Sequence, residues 1–261
     1  MRVSSSTQHW FDQGKQQLLN LFLASPCPLC QRSTAAILCP NCCRQVRQCQ
    51  LSTPCDRTLP GLAVVSWGRY EGSLRQVIGN LKYSGHREVA QFLGTELGQT
   101  WRDGSSGWAF DYRTTVGTLS RPVAIVPIPL HPGKQQQRGF NQADLLAQAF
   151  CRFTQLPLHS HGLRRVMATQ AQHSLGWSAR QQNLAQAFAV EPKQADALRQ
   201  TTVWLLDDIF TTGATAQAAA QTLRRSGIAV AGICTVARAI AWNADPNPAS
   251  PRHFTPTVDG R

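Results

Sequence analysis

The sequence is short of charge, and above all of acid. Charged residues make up 15% of its 261 positions and only 14 are Asp or Glu, which excludes a chain held open by charge repulsion; with 42% hydrophobic residues, most of it has the means to fold. No apolar run approaches the ~20 residues of a membrane helix, the best being Leu21-Phe22-Leu23-Ala24, so membrane insertion is not expected. The N-terminus lacks a cationic stretch leading into an apolar segment of roughly 7–15 residues, which argues against secretion and makes the cytoplasm the expected compartment. There is no Gly-Lys-Ser/Thr, so a Walker A phosphate loop fails, and the lack of a Gly-x-Gly-x-x-Gly weakens any dinucleotide reading.

What the chain has in excess is positive charge. Twenty-six Lys and Arg against 14 acids give +12, a balance that points to phosphate-bearing partners. Residues 1–60 carry +4 of it and residues 61–242 carry +8. Within 129–183 there are six Lys or Arg, four His and a single acid, Asp144. The length suits about two domains.

Nine cysteines need an explanation, because thiols of a cytosolic protein are kept reduced. Cys27-Pro28-Leu29-Cys30 and Cys39-Pro40-Asn41-Cys42 are two Cys-x-x-Cys knuckles separated by eight residues. Each such turn aims two thiolates at one point, as tetrahedral zinc requires; the competing readings are a disulfide pair or a redox motif. Cys43 directly follows a candidate ligand and competes with Cys42. Cys151 and Cys234 lie in apolar stretches and read as buried fillers.

Apolar periodicity organises the rest. Residues 8–24 read as an amphipathic helix leading into the knuckles, and 50–60 as a linker broken by Pro54 and Pro60. Leu62 to Trp67 is a short strand, and Leu74, Val77, Ile78 and Leu81 recur at helical spacing. A further helix is expected over 87–101, then an aperiodic insertion over 102–121. Strands over Val123–Val126, Val203–Leu206 and Ile228–Val236 alternate with helical stripes, one at Leu146, Ala149, Phe150 and Phe153 and one at Ala216, Ala219, Ala220 and Leu223. That order predicts an α/β fold: a parallel sheet with right-handed crossovers and flanking helices. The tail from Asn243, with four prolines in nineteen residues, reads as disordered. The expected division is 1–60 for the helix and zinc-binding module, 61–242 for the α/β domain and 243–261 for the tail.

The sharpest chemical signal follows the second of these sheet strands. In Val203-Trp204-Leu205-Leu206-Asp207-Asp208-Ile209-Phe210-Thr211-Thr212-Gly213-Ala214-Thr215, an apolar strand runs into two acids and then into a Thr/Gly loop that opens a helix. Small residues let the amides of Thr211, Thr212, Gly213, Ala214 and Thr215 converge on one anion, and the helix start adds partial positive charge, so this loop suits a monophosphate. Asp207 and Asp208 come at the sheet edge where open α/β folds bind ligands, and they can accept hydrogen bonds from vicinal sugar hydroxyls. Together they describe a ribose 5-phosphate. The bland alternative is a threonine helix cap beside two solvated acids. Neither Asp208→Asn nor Gly213→Val is expected to move the unliganded melting temperature by more than a few degrees.

This segment resembles the phosphoribosyl-pyrophosphate signature of type I phosphoribosyltransferases. The stretch Val126-Pro127-Ile128-Pro129-Leu130-His131-Pro132, then Lys134 and Arg138-Gly139-Phe140-Asn141-Gln142-Ala143, is similar to the late-competence ComF/GntX family. The knuckles take the place of that family's N-terminal zinc module. Tyr70, Lys82 and Tyr83 match its hood region, and Arg165, Thr169, Gln172, Arg180, Asn183 and Phe188 match the segment before the signature. The resemblance implies a type I phosphoribosyltransferase-like sheet, with phosphoribosyl pyrophosphate and magnesium as ligands. Two departures stand out. The loop 133–137 is Gly-Lys-Gln-Gln-Gln, poorer in Arg than is usual in the family, and 102–121 looks added.

Read from the residues, Lys134, Arg138 and Gly139 follow a strand end as a pyrophosphate loop would, and Arg165, Thr169, Gln172 and Arg180 suit a lid over the anomeric carbon. His131 and His173 read as structural. No segment names an acceptor base. Two functions therefore stay open. The resemblance implies a competence factor that handles incoming single-stranded DNA with the DNA-uptake machinery; the alternative is an active phosphoribosyltransferase releasing pyrophosphate. A cationic and aromatic surface joining the zinc module to 129–183 would favour the first, with Trp10, Trp67, Tyr70 and Trp177 as candidate stacking platforms.

Overall fold

A computed structural model describes residues 25–56, 59–104, 121–166 and 187–239. The helix expected over 8–24, the tail, Thr169, Gln172, His173, Trp177, Arg180 and most of 102–121 lie outside them.

The described chain begins with a two-stranded ribbon, β1 (Ser25–Pro26) and β2 (Ser33–Thr34), and a helix, α1 (Pro40–Arg47). The main sheet follows. Its strands are β3 (Cys55–Asp56), β4 (Ala63–Arg69), β5 (Val123–Pro127), β8 (Thr202–Phe210) and β9 (Ala229–Arg238), in the order β3-β4-β9-β8-β5. Four of these are parallel, and β3 adds an antiparallel edge, with Cys55 opposite Val65. The expected parallel sheet is therefore present. A second ribbon, β6 (Leu163–Arg165) and β7 (Phe188–Val190), stands beside it.

Helices cover both faces, which is why the strands read as continuous apolar runs rather than as alternations. On one face lie α2 (Gly72–Tyr83), α3 (Val89–Gly104) and α5 (Gln142–Thr154), whose Leu74, Ile78, Leu93 and Phe150 pack with Trp204 and Leu206 of β8. On the other lie α6 (Pro192–Arg199) and α7 (Ala214–Arg225), whose Leu198, Ala219 and Leu223 meet Val203 and Leu205. Successive residues of β8 thus serve opposite cores, as the two-residue period of a strand demands. The small-residue stripe of α7 is buried along its length. Close packing of α3 on α5 depends on Gly94, where a Cβ would stand 2.6 Å from the carbonyl oxygen of Leu146. Trp101 fills the space beside it, edge-on to Trp204 with ring centroids 4.8 Å apart.

Several elements differ from expectation. Strand β3 falls inside the expected linker and joins the main sheet. Helix α3 runs on to Gly104, taking Arg102 and Asp103 out of the expected insertion. Strand β8 does not stop at Leu206: Asp207 pairs with Thr235 and Ile209 with Ala237 on β9, so both acids lie inside the ladder. The expected loop over 133–137 is a short helix, α4 (Pro132–Arg138). Its start is set by Pro132 and by His131, whose Nδ1 accepts from the Gly133 amide at 3.1 Å. Gly139, at φ +74°, ends it.

Candidate functional site

Two sites emerge. In the first, the thiol sulfurs of Cys27, Cys30, Cys39 and Cys42 all lie within 4.8 Å of one another, placed to hold a metal ion. Cys39 precedes α1 and Cys42 sits in its first turn, with Pro40 starting the helix. Cys43, one residue further round the helix, is not part of the cluster. Cys30 and Cys39 sulfurs are 3.6 Å apart, and the Cys39 amide donates to the Cys27 sulfur at 3.5 Å. Burial pushes the Cys27 thiol up, but the amides of Cys39, Cys30 and Leu29 outweigh it and bring the value down to about 6. The Cys42 thiol is raised, by burial first and then by its sulfur neighbours. Four sulfur donors with no fifth position suit zinc better than any hard cation. Among the other cysteines, Cys49 donates to the carbonyls of Glu71 at 3.6 Å and Gln45 at 3.8 Å, while Cys151 and Cys234 are buried, with thiols raised by burial.

This module is fastened to the α/β core. The Asn80 side-chain amide on α2 donates to the Pro28 carbonyl at 2.6 Å, and Arg47 of α1 pairs with Glu96 of α3 at 2.6 Å.

The second site gathers at the C-terminal end of β8. Asp208 is buried and forms an ion pair at 2.5 Å with Lys82, from the last turn of α2; the two side chains are 7% and 15% exposed. The amide of Asp208 donates to Oδ1 of Asp207 at 2.8 Å, and the Asp208 charge acts on the Asp207 carboxyl. Burial first, and the Asp208 charge second, hold the Asp207 carboxyl well above the usual carboxylate range, against the weaker pull of the Asp208 amide and of Lys82. Arg165, at the end of β6, lies within electrostatic reach of Asp207 and stacks over the Phe188 ring at 5.4 Å; burial pulls its basicity down and Asp207 opposes that.

Beyond the acids, Gly213 starts α7 at φ +77°, with Thr211 and Thr212 exposed and Ala214 and Thr215 in the first turn. The first amides of a helix have no acceptor within it; that of Ala214 reaches the Thr212 hydroxyl at 3.4 Å, as a threonine cap would, and the others are the donors an anion would use. Gly213 also packs inward: a Cβ would stand 2.7 Å from Leu59 Cδ1 and 3.0 Å from Phe210 Cζ.

The remaining candidates spread out. Lys134 is exposed on α4; Arg138, one turn later on the same face, donates to Gln142 at 3.0 Å and stacks 4.9 Å over the ring of Tyr83. Asn141 caps α5 by accepting from the Ala143 amide, and it donates to the Ile128 carbonyl, both structural tasks. Of the described stacking candidates, Trp67 is fully buried, and Tyr70 is half-buried with Arg75 5.9 Å from its ring. The platform the sequence reading missed is Tyr83, 77% exposed. It also missed the pairing of Lys82 with Asp208, although a signal existed: Lys82 stands four residues after Ile78, extending an apolar stripe with a charge.

No protein-family model matches the chain. The DNA utilization protein YhgH of Escherichia coli K12 is 33% identical over 221 residues, covering 82% of this chain and 90% of that protein. The chain belongs to the ComF/GntX family. Competence protein F of Haemophilus influenzae is 36% identical to this ComF-family chain over 121 residues, 46% of the chain and 52% of that protein. A solved hypoxanthine phosphoribosyltransferase from Staphylococcus aureus covers 58% of the chain, and the chain covers 64% of it, at 15% identity and a TM-score of 0.32, a likeness too slight to argue from.

Proposed function

We propose that this ComF-family protein binds phosphoribosyl pyrophosphate at the end of β8 and acts on single-stranded DNA taken up by the cell. The observation that carries the first half is one run of features: two successive acids, of which Asp208 is buried against Lys82, followed by a glycine-led helix start. The acids suit ribose hydroxyls and the amides of 211–215 suit the 5-phosphate. Magnesium, bound to the pyrophosphate, would neutralise the leaving group's charge. Lys134, Arg138 and Gly139 stand as candidates for the pyrophosphate, and Arg165, Thr169, Gln172 and Arg180 as candidates for the covering segment. The four cysteines are assigned to structural zinc, and the expected compartment is the cytoplasm. No described helix is long and apolar enough to cross a membrane.

The DNA half is supported by the names of the relatives and by one surface. Tyr83 lies under Arg138, Arg87 lies 4.6 Å over the ring of Phe140, and Asn80 on the same helix as Tyr83 touches the cysteine module at Pro28. These Arg–aromatic contacts are of the kind that single strands use. The test is isothermal titration, first with phosphoribosyl pyrophosphate and magnesium, then with a labelled single strand over a range of salt. The reading expects ligand binding that Asp207→Asn weakens, and DNA affinity that falls steeply with salt. Pyrophosphate release on adding a nucleobase would instead favour the active transferase. No heat with the first ligand would remove the sugar-phosphate reading.

A further inference from the structure

The acid pair on β8 is not left to repel itself. Carboxyl groups on successive residues, each acting on the other's charge, are relieved in one of three ways: by keeping a proton, by holding a divalent cation, or by an organic cation supplied by the protein. Here the third is in place. The ammonium of Lys82 sits 2.5 Å from Oδ2 of Asp208, and both side chains are largely out of solvent. Its position is not accidental to a floppy side chain, because Leu74, Val77, Ile78 and Leu81 anchor α2 in the core and deliver the last turn to the strand. On the other carboxyl group, Oδ1 of Asp207 already accepts the Asp208 amide. A divalent ion approaching these acids would have to displace a buried ammonium from one of them and would be repelled by its charge.

Resting on the sugar-phosphate reading above, we propose that Lys82 is a positioning residue that stands in for a divalent ion at the acid pair. It orients Asp208 through Oδ2, leaves Oδ1 for a ligand hydroxyl, and bars metals from direct coordination by Asp207 and Asp208. A ligand without pyrophosphate, such as ribose 5-phosphate, therefore binds without metal.

The experiment uses the full, zinc-loaded chain and two probes. The first is Mn2+, followed by loss of the free-ion electron paramagnetic resonance signal. Wild type and Lys82→Arg should leave Mn2+ free, whereas Lys82→Met should take up Mn2+ with unit stoichiometry and lose it again when Asp208→Asn is added. The second probe is ribose 5-phosphate, titrated in a chelator that spares the zinc. Wild type should bind it, Lys82→Met should bind about tenfold more weakly, and added Mn2+ should restore that variant alone. Uptake of Mn2+ by wild type overturns the proposal, a result that needs no variant to fold. So does a folded Lys82→Met that takes up no Mn2+ and binds ribose 5-phosphate as wild type does. If wild type ignores ribose 5-phosphate while Lys82→Met still gains Mn2+, the sugar-phosphate reading and the metal-free binding built on it both fall, and the barring of metal by Lys82 stands.

Discussion

At Asp208 the carboxylate is already engaged by Lys82, so Asn in its place strands an ammonium that is only 15% exposed. Breaking a largely buried pair by removing one partner costs about 2–4 kcal/mol. The melting temperature of Asp208→Asn should fall by roughly 5–10 °C in the absence of ligand, which replaces the expectation that it would hardly move; differential scanning calorimetry reads this directly. Asp207 behaves differently. Its carboxyl is held well above the usual value of 3.8, so just above that value the folded chain keeps a proton that the unfolded chain releases. The stabilisation is full at low pH and is lost as pH rises through the window. Wild type should therefore lose stability relative to Asp207→Asn as pH climbs from about 4, and parallel melting curves across that range would show the proton is elsewhere.

At the scale of elements, the start of α7 carries two duties that the motif alone does not separate. Gly213 needs a left-handed backbone and lies against Leu59 and Phe210, so a β-branched side chain there is both strained and crowded. Gly213→Val should cost roughly 2–3 kcal/mol before any ligand is added, and Gly213→Ala less; urea unfolding of the two variants gives the comparison. Much of the architecture was legible because it is written in periodicity: the stripe at Leu74, Val77, Ile78 and Leu81 is α2, and the apolar runs are the four parallel strands. What escaped was set by distant partners. Strand β8 continues past Leu206 because β9 offers Thr235 and Ala237 to pair with, and nothing local announces that. The helix over 132–138 is local in origin, through Pro132, the His131 cap and a glutamine run, yet the neighbouring glycines disguised it as a loop. The acid pair was visible in the sequence, but its cation, 126 residues away in the chain from Asp208, was not.

Over the whole molecule, the described residues bring the positive charge together with exposed aromatic surface around Tyr83 and Arg138, where the single-strand reading places its contacts. Tyr83→Ala should weaken single-strand binding by about 1–3 kcal/mol with the salt slope unchanged, while charge reversal at Arg138 should flatten that slope; fluorescence anisotropy distinguishes the two. The metal should follow a different geography. Cys39→Ser should abolish stoichiometric zinc and Cys43→Ser should leave it intact, by elemental analysis of protein purified without chelator.

The hydrogen bond from Asn80 to Pro28 ties these territories together. Asn80 belongs to the turn of α2 that also bears Lys82, so the first knuckle and the acid pair are moored to the same short length of helix. Opening the cysteine cluster should therefore loosen the last turn of α2, and amide hydrogen exchange over residues 80–83 would show it. Asn80→Ala should uncouple the two territories, leaving exchange in that turn indifferent to whether the cysteines hold a metal.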